Sequence, residues 1–278
     1  IVIVIGAPHI GSVDYFEMPG GFSSRFAAAA LIFFAYIGFE EIARLGEDTK
    51  KPQKTLPKAI ILSIVISTIL YMLVAITAVS VVDWQTLGAS KAPLADVVAT
   101  AFGPNAFFII SVIALFATAN TVLFIMLAGS RIMYGMSDEK ILPKKLSQII
   151  KSRRTPLYAI LVTMVLTVAF VLVGNIQTVA ELTDFGIFAV FIIVNMVAIA
   201  LRYKLPNMKR SFKMPGNIGK FPVIALLGIL TSLFMMFHLS LEIIFIGLGL
   251  IVIFIFIYEA YSRIRKNKIG KNNVKRSK

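Results

Sequence analysis

The stretch Phe33-Phe34-Ala35-Tyr36-Ile37-Gly38-Phe39-Glu40-Glu41 constrains what this chain can fold into more than any other. It opens as lipid-compatible helix and then runs into a glycine and two adjacent carboxylates. The purely apolar run from Phe26 to Phe39 falls short of the ~20 residues a spanning helix needs. Extending the span to Leu45 or Gly46 makes it long enough only by placing Glu40, Glu41 and Arg44 inside or just under the bilayer. A charge near the bilayer centre costs at least ~2.5 kcal/mol on the insertion scale. The economical solution is a broken helix, one half before Ile37–Gly38 and the other after. Such breaks are tolerated where the freed backbone lines a cavity.

Across its 278 residues the chain is 58% hydrophobic, with a mean hydropathy of +0.86. Apolar runs at this density define an all-α integral membrane protein. There is no cysteine, which excludes disulfides and thiolate metal sites. The first residue is Ile rather than Met, and Ile1–Ile5 reads as the end of an apolar segment. It has neither a charged n-region nor a small-residue cleavage site, so a signal peptide is not the expectation here. The expectation is a C-terminal fragment of a longer polytopic protein, with a wholly different N-terminus as the alternative.

The expected organisation begins with that helix end (1–5) and an extracellular loop (6–21) holding Asp14 and Glu17. The broken span covers 22–46. A basic loop follows, with Thr55 as expected N-cap and Pro57 in the first turn, where its missing N–H does no harm. Ile60–Val82 spans without interruption. Residues Asp83–Pro104 form a loop with Trp84 near the interface and a short surface helix, Leu94–Phe102. Further spans are Phe107–Leu127, Tyr158–Val173 and Val179–Leu201. The segment Asp138–Lys151 interleaves Ile141, Leu142, Leu146 and Ile149 with lysines and reads as an amphipathic helix at headgroup level. After a loop at 207–220, Phe221–Tyr258 would be roughly 57 Å as one helix at ~1.5 Å per residue. Its polar cluster His238, Ser240 and Glu242 therefore marks the turn of a two-helix hairpin, 221–261. A basic tail, 262–278, is expected to be disordered.

This gives seven spans and a stub, and the charges test the count. Of the 28 lysines and arginines, all except Arg25 and Lys91 fall on alternate loops, as the positive-inside rule requires. The net charge of +14 is thus a cytoplasmic-face signature, and no nucleic-acid partner is needed to explain it. The broken span runs outward to inward, and the C-terminus is expected to be cytoplasmic.

Three stretches, in order, carry a family resemblance. The first is the broken span. The second is Glu47-Asp48-Thr49-Lys50-Lys51-Pro52-Gln53-Lys54-Thr55-Leu56-Pro57-Lys58. The third is Ser130-Arg131-Ile132-Met133-Tyr134-Gly135-Met136-Ser137-Asp138-Glu139-Lys140-Ile141-Leu142-Pro143, continuing to Thr155-Pro156-Leu157. Together they resemble the amino acid–polyamine–organocation permeases, particularly the branch with cationic amino acid transporters. The resemblance implies a leucine-transporter-type fold of two inverted five-helix repeats with broken first and sixth helices. On that mapping residues 22–206 are the second repeat (helices 6–10), and 221–261 are helices 11–12. Almost all of the first repeat is missing, including the broken helix that holds the substrate carboxylate in the family.

A half-helix ending at Phe34–Ala35 leaves carbonyls without intrahelical donors at the negative end of the helix dipole. An α-ammonium supplies three donors in one compact charge. The resemblance places amino-group contacts on the backbone at Phe34, Ala35 and Ile37, so Phe34, Ala35, Tyr36, Ile37 and Gly38 are the expected substrate-binding residues. The bland counterpart is a glycine kink packed on a neighbour with no ligand. Gly38 supplies freedom for the break. Phe34, Tyr36 and Phe39 can gate the cavity, or simply face lipid or a neighbouring helix. Glu40 matches an acidic family position with a gating or proton-linked role; a helix cap paired with Arg44 at i+4 is its structural alternative. Glu41 and Glu47 read as interfacial.

Asn120 and Thr121, near mid-depth, are candidates for lining the cavity, though helix–helix hydrogen bonds account for most such residues. Sodium-coupled relatives of the fold use hydroxyls on helix eight, where only Thr121 is near, so proton coupling or exchange is favoured. Asp184 and Asn195 read as rim or packing residues. His9 and His238 are far apart, so no metal site is expected, nor any cofactor. No nucleophile–base arrangement or phosphate loop appears, and the chain does not read as an enzyme. The expected function is secondary active amino-acid transport by alternating access in the plasma membrane, with protons and the missing repeat as partners. A membrane sensor that binds an amino acid without moving it, or a non-functional remnant, are the alternatives.

Overall fold

The computed structural model describes residues 1–17, 20–44, 49–150, 155–172, 174–208, 210 and 215–276; at 22, 23, 44 and 264–276 it describes the backbone alone. The chain is an all-α membrane protein. Its helices are α1 (Val2–Gly6), α2 (Gly21–Ile32), α3 (Glu41–Arg44), α4 (Pro52–Val81), α5 (Trp84–Ala89), α6 (Pro93–Phe102), α7 (Pro104–Asp138), α8 (Leu157–Val171), α9 (Ile176–Lys204), α10 (Val223–Met236) and α11 (Leu241–Arg276). Five helical segments among the described residues are long and apolar enough to cross a membrane: Ser24–Ala43, α4, α7, α9 and Leu241–Arg263. The remaining two expected spans, α8 and α10, have 15 and 14 residues. At ~1.5 Å per residue each is shorter than the ~30 Å hydrocarbon layer.

Two compact units divide the chain. The first contains Ile1–Phe116 and Gly186–Leu239, the second Ala117–Phe185 and Ser240–Lys278.

In the first unit α1 packs along α4, and the contact is close because it is made through glycine. A Cβ added to Gly6 would sit 2.3 Å from Thr77 Cβ. The loop after α1 is clipped to the far end of α4. Ser12 Oγ donates to the Ser80 carbonyl at 3.0 Å, and the Tyr15 hydroxyl lies 2.7 Å from Ser80 Oγ. The expected short helix is α6, one residue longer at its start. It packs on α1 and α4, burying Ala95, Val97 and Val98. Its entry is held by Ser90, whose hydroxyl donates to Asp96 and accepts from Ala92 N.

The start of α4 also departs from expectation. The helix begins at Pro52, where a missing N–H costs nothing, and Thr55 is no cap but donates its hydroxyl to the Lys50 carbonyl. Pro57 consequently falls inside the helix, where it removes one i→i−4 bond. Lower in the chain a two-residue β-hairpin, β1 (Asn217–Ile218) with β2 (Phe221–Pro222), leads into α10. It had no periodic signal to announce it. Asn195 of α9 lies against Gly228 of α10, where a Cβ would come within 2.9 Å of its side-chain nitrogen.

In the second unit the expected amphipathic helix over Asp138–Lys151 is absent from the described residues. α7 ends at Asp138, Lys140 turns with φ +65°, and Pro143 precedes a single 3-10 turn, Lys144–Ser147. Pro143 disfavours helical backbone at Leu142 and donates no N–H, so the apolar spacing cannot be realised as one helix. The turn is fastened by Ser137 Oγ, which donates to the Pro143 carbonyl at 2.7 Å. Thr163 of α8 fits against Gly129 of α7, with Thr163 Cγ2 3.2 Å from the added Cβ position. The basic tail is a further correction: its backbone continues as α11 through Arg276. Lysine and arginine are good helix formers, and no proline interrupts this stretch.

Candidate functional site

The helix break is built in three steps. The α-helical hydrogen-bond pattern of α2 ends at Ile32, and Phe33–Tyr36 tightens into a 3-10 turn. Ile37 then takes an extended backbone (φ −61°, ψ 132°), and Gly38 follows with φ +120°, a value that side chains make costly. Bonds from Glu41 N to Gly38 O (3.1 Å), Ile42 N to Phe39 O (3.2 Å) and Ala43 N to Glu40 O (3.0 Å) restart the helix as α3. Glu40 closes the gap: its Oε2 accepts from Gly38 N at 2.9 Å. The alternative partner, Arg44, has its side chain outside the described residues, as does Glu47.

The break frees carbonyls, as a broken helix must. The Phe34 carbonyl is taken by Ile37 N at 3.2 Å, and the Ala35 carbonyl by the Tyr71 hydroxyl of α4 at 2.9 Å. Those of Tyr36 and Ile37 receive no hydrogen bond from the described residues. A cavity of about 240 Å³ opens here, lined by Ala35, Tyr36, Ile37, Gly38, Phe39 and Ile42 on one side. The opposite wall is α4, contributing Ser63, Ile64, Ser67 and Tyr71. This volume is below that of drug-sized ligand sites, which run from ~300 Å³ upward.

Four of the expected residues, Ala35, Tyr36, Ile37 and Gly38, thus come together on one cavity, with Phe39 beside them. Phe34 does not; its side chain is 41% exposed and does not line the cavity. Phe39 also rests on Phe191 of α9, with ring centroids 6.0 Å apart, while Phe33 tilts against Phe188 at 4.8 Å. Phe26 fixes α2 to α10 through an edge-to-face contact with Phe234 at 5.0 Å. Asn120 and Thr121 are exposed on α7 and are not among the lining residues; the Thr121 hydroxyl donates back to the Ala117 carbonyl at 3.1 Å.

Sequence reasoning missed the α4 wall. Ser63, Ser67 and Tyr71 recur every four residues, so they share one helix face. That spacing was available as a signal, but α4 is apolar all round and its few hydroxyls read as ordinary. Asp184, expected as a rim or packing residue, is no rim residue. Asp184 is fully buried, and neither carboxylate oxygen has a hydrogen-bond partner among the described residues. One turn earlier, Glu181 is bound tightly. It accepts from Gln177 Nε2 at 2.9 Å and from Ser240 Oγ at 2.9 Å, joining α9 to the turn before α11. Among the described residues no group of three or more His, Asp or Glu side chains could hold a metal.

With five segments long and apolar enough to cross a membrane, one of them broken over a small cavity, this is a polytopic membrane protein by class. Residues 1–258 match the family described as amino acid permease, and the chain belongs to it. It is 35% identical over 250 residues to the branched-chain amino acid permease BcaP of Bacillus subtilis, covering 88% of this chain and 52% of that protein. It is 29% identical to the methylthioribose transporter of the same organism, covering 92% and 56%. The vacuolar cationic amino acid transporter 4 of Arabidopsis thaliana is 28% identical over 74% of this chain and 35% of its own length. The chain spans about half the length of the bacterial relatives it matches. These relatives are named as transporters or permeases, not enzymes.

Proposed function

We propose that this chain forms the second half of an alternating-access amino-acid permease, residues 22–206 acting as one five-helix repeat and 221–261 as its final hairpin. The observation that carries the reading is the pair of carbonyls, Tyr36 and Ile37, that have no donor among the described residues, on a cavity of about 240 Å³. A substrate α-ammonium placed there satisfies both, next to the C-terminal end of the outer half-helix where the dipole favours positive charge. The partner that would hold the carboxylate belongs to a first repeat, which the bacterial relatives have length to supply. The apolar lining from Ile37, Phe39, Ile42 and Ile64 favours a substrate with a small aliphatic side chain, in keeping with the branched-chain permease among its relatives.

Phe39 is then the cavity's gate and Glu40 its coupling carboxylate, with protons the coupling ion. The protein sits in the plasma membrane with its basic loops and C-terminus cytoplasmic, as the distribution of lysine and arginine argues. Counterflow in proteoliposomes, with the product of the complete reading frame, tests the reading. Internal unlabelled leucine should drive accumulation of labelled external leucine; binding without exchange would make the protein a sensor instead.

A further inference from the structure

Tyr71 stands at the cavity with its hydroxyl on the Ala35 carbonyl. The donation to Ala35 O is 2.9 Å long, and the Tyr71 ring meets the Tyr36 ring edge-on at 5.4 Å and 81°. Both rings line the same cavity, and Tyr71 is 43% exposed, so room exists for its hydroxyl to leave. One turn away Ser67 also lines the cavity, and its hydroxyl makes no hydrogen bond with the described residues.

We propose that the Tyr71 hydroxyl is a built-in stand-in for the substrate's ammonium, occupying the Ala35 carbonyl in the empty site and released when an amine arrives. This rests on the amino-acid reading above and deepens it. Ala35, Tyr36 and Ile37 present three consecutive carbonyls, and an ammonium has three donors. Two of these carbonyls receive no hydrogen bond from the described residues, and the third is held by a neutral donor. A neutral hydroxyl is the right kind of placeholder, because a charge-assisted hydrogen bond is roughly twice as strong and displaces it. The released hydroxyl, with the vacant Ser67 hydroxyl at i−4, is then free to face the substrate. A ligand lacking the amine has nothing to displace Tyr71 with. The tyrosine therefore costs amine-bearing ligands some affinity and leaves the corresponding carboxylic acids unaffected.

The test compares L-leucine with 4-methylpentanoate, the same skeleton without the amine, binding to the complete gene product in nanodiscs. Tyr71→Phe keeps the ring against Tyr36 and deletes only the donor. A neutral hydrogen bond of ordinary net strength corresponds to leucine binding about 2- to 10-fold more tightly in Tyr71→Phe. Affinity for 4-methylpentanoate should stay as in wild type. Equal changes for both ligands, or unchanged or weaker leucine binding alone, would overturn the role of Tyr71 while leaving the cavity a leucine site. Absence of leucine binding to the wild type would remove both readings. Should Tyr71→Phe fail to fold, 3-fluorotyrosine at position 71 gives a second readout. Its 19F resonance should shift with leucine and not with 4-methylpentanoate; a resonance that leucine leaves in place overturns the proposal.

Discussion

The Glu40 carboxylate accepts a hydrogen bond from the backbone N–H of Gly38, two residues back, at 2.9 Å. This acidic side chain thus holds together the turn it follows. The coupling role proposed for it must operate through that contact, since protonating the carboxylate weakens its acceptor and loosens the turn.

Glu40→Gln and Glu40→Ala separate the two roles. Glutamine retains an acceptor oxygen at the same reach, so thermal stability in detergent should fall by no more than about 0.5 kcal/mol. Alanine leaves Gly38 N–H without its acceptor and should cost about 1 kcal/mol. In transport assays Glu40→Gln should reduce proton-driven uptake more than exchange. Equal loss of both, with normal expression, would leave only the structural role.

Gly38→Ala tests the break itself. The added methyl meets no atom within 4 Å, so any effect comes from φ +120° alone. Strain of this kind costs on the order of 1–3 kcal/mol. The expected outcome is a stable but binding-impaired protein, because relaxing φ closes the gap between α2 and α3 and takes back the carbonyls. Leucine binding equal to wild type would show that the cavity does not depend on this backbone.

Glu181→Ala removes the acceptor shared by Gln177 and Ser240. Interhelical hydrogen bonds in membranes are worth about 0.6 kcal/mol on average and reach about 1.7. The Ser240 hydroxyl and N–H both lose their partner, so a loss near the upper value is expected, read as a lower unfolding temperature. Ser240→Ala removes one of the two donors and should cost less.

Asp184→Asn should leave unfolding temperature unchanged or raise it. Neither oxygen of Asp184 is hydrogen-bonded among the described residues, so the amide forfeits no bond the fold makes. A carboxylate kept buried without a partner is costly compared with a neutral side chain. A clear drop in stability would mean that the carboxylate has a partner outside the described residues.

The sequence by itself determined that this is an α-helical membrane protein, because lipid leaves no other way to satisfy the backbone of such apolar runs. It also located the break, since a glycine and two carboxylates cannot continue a lipid-facing helix. The boundary between α10 and α11, between Met236 and Leu241, was legible for the same reason, at the polar cluster His238, Ser240 and Glu242. What only the tertiary structure decided depends on partners distant in the chain. Which break carbonyls are vacant follows from Tyr71, thirty-six residues on from Ala35. Whether a lone acid is a rim residue or wholly buried, as at Asp184, follows from what packs around it. The segment after Asp138 turned on Pro143, where one missing N–H outweighed an apolar spacing that pointed to a helix. Hydropathy reads the solvent each residue prefers; it does not read which neighbour answers a particular hydrogen bond.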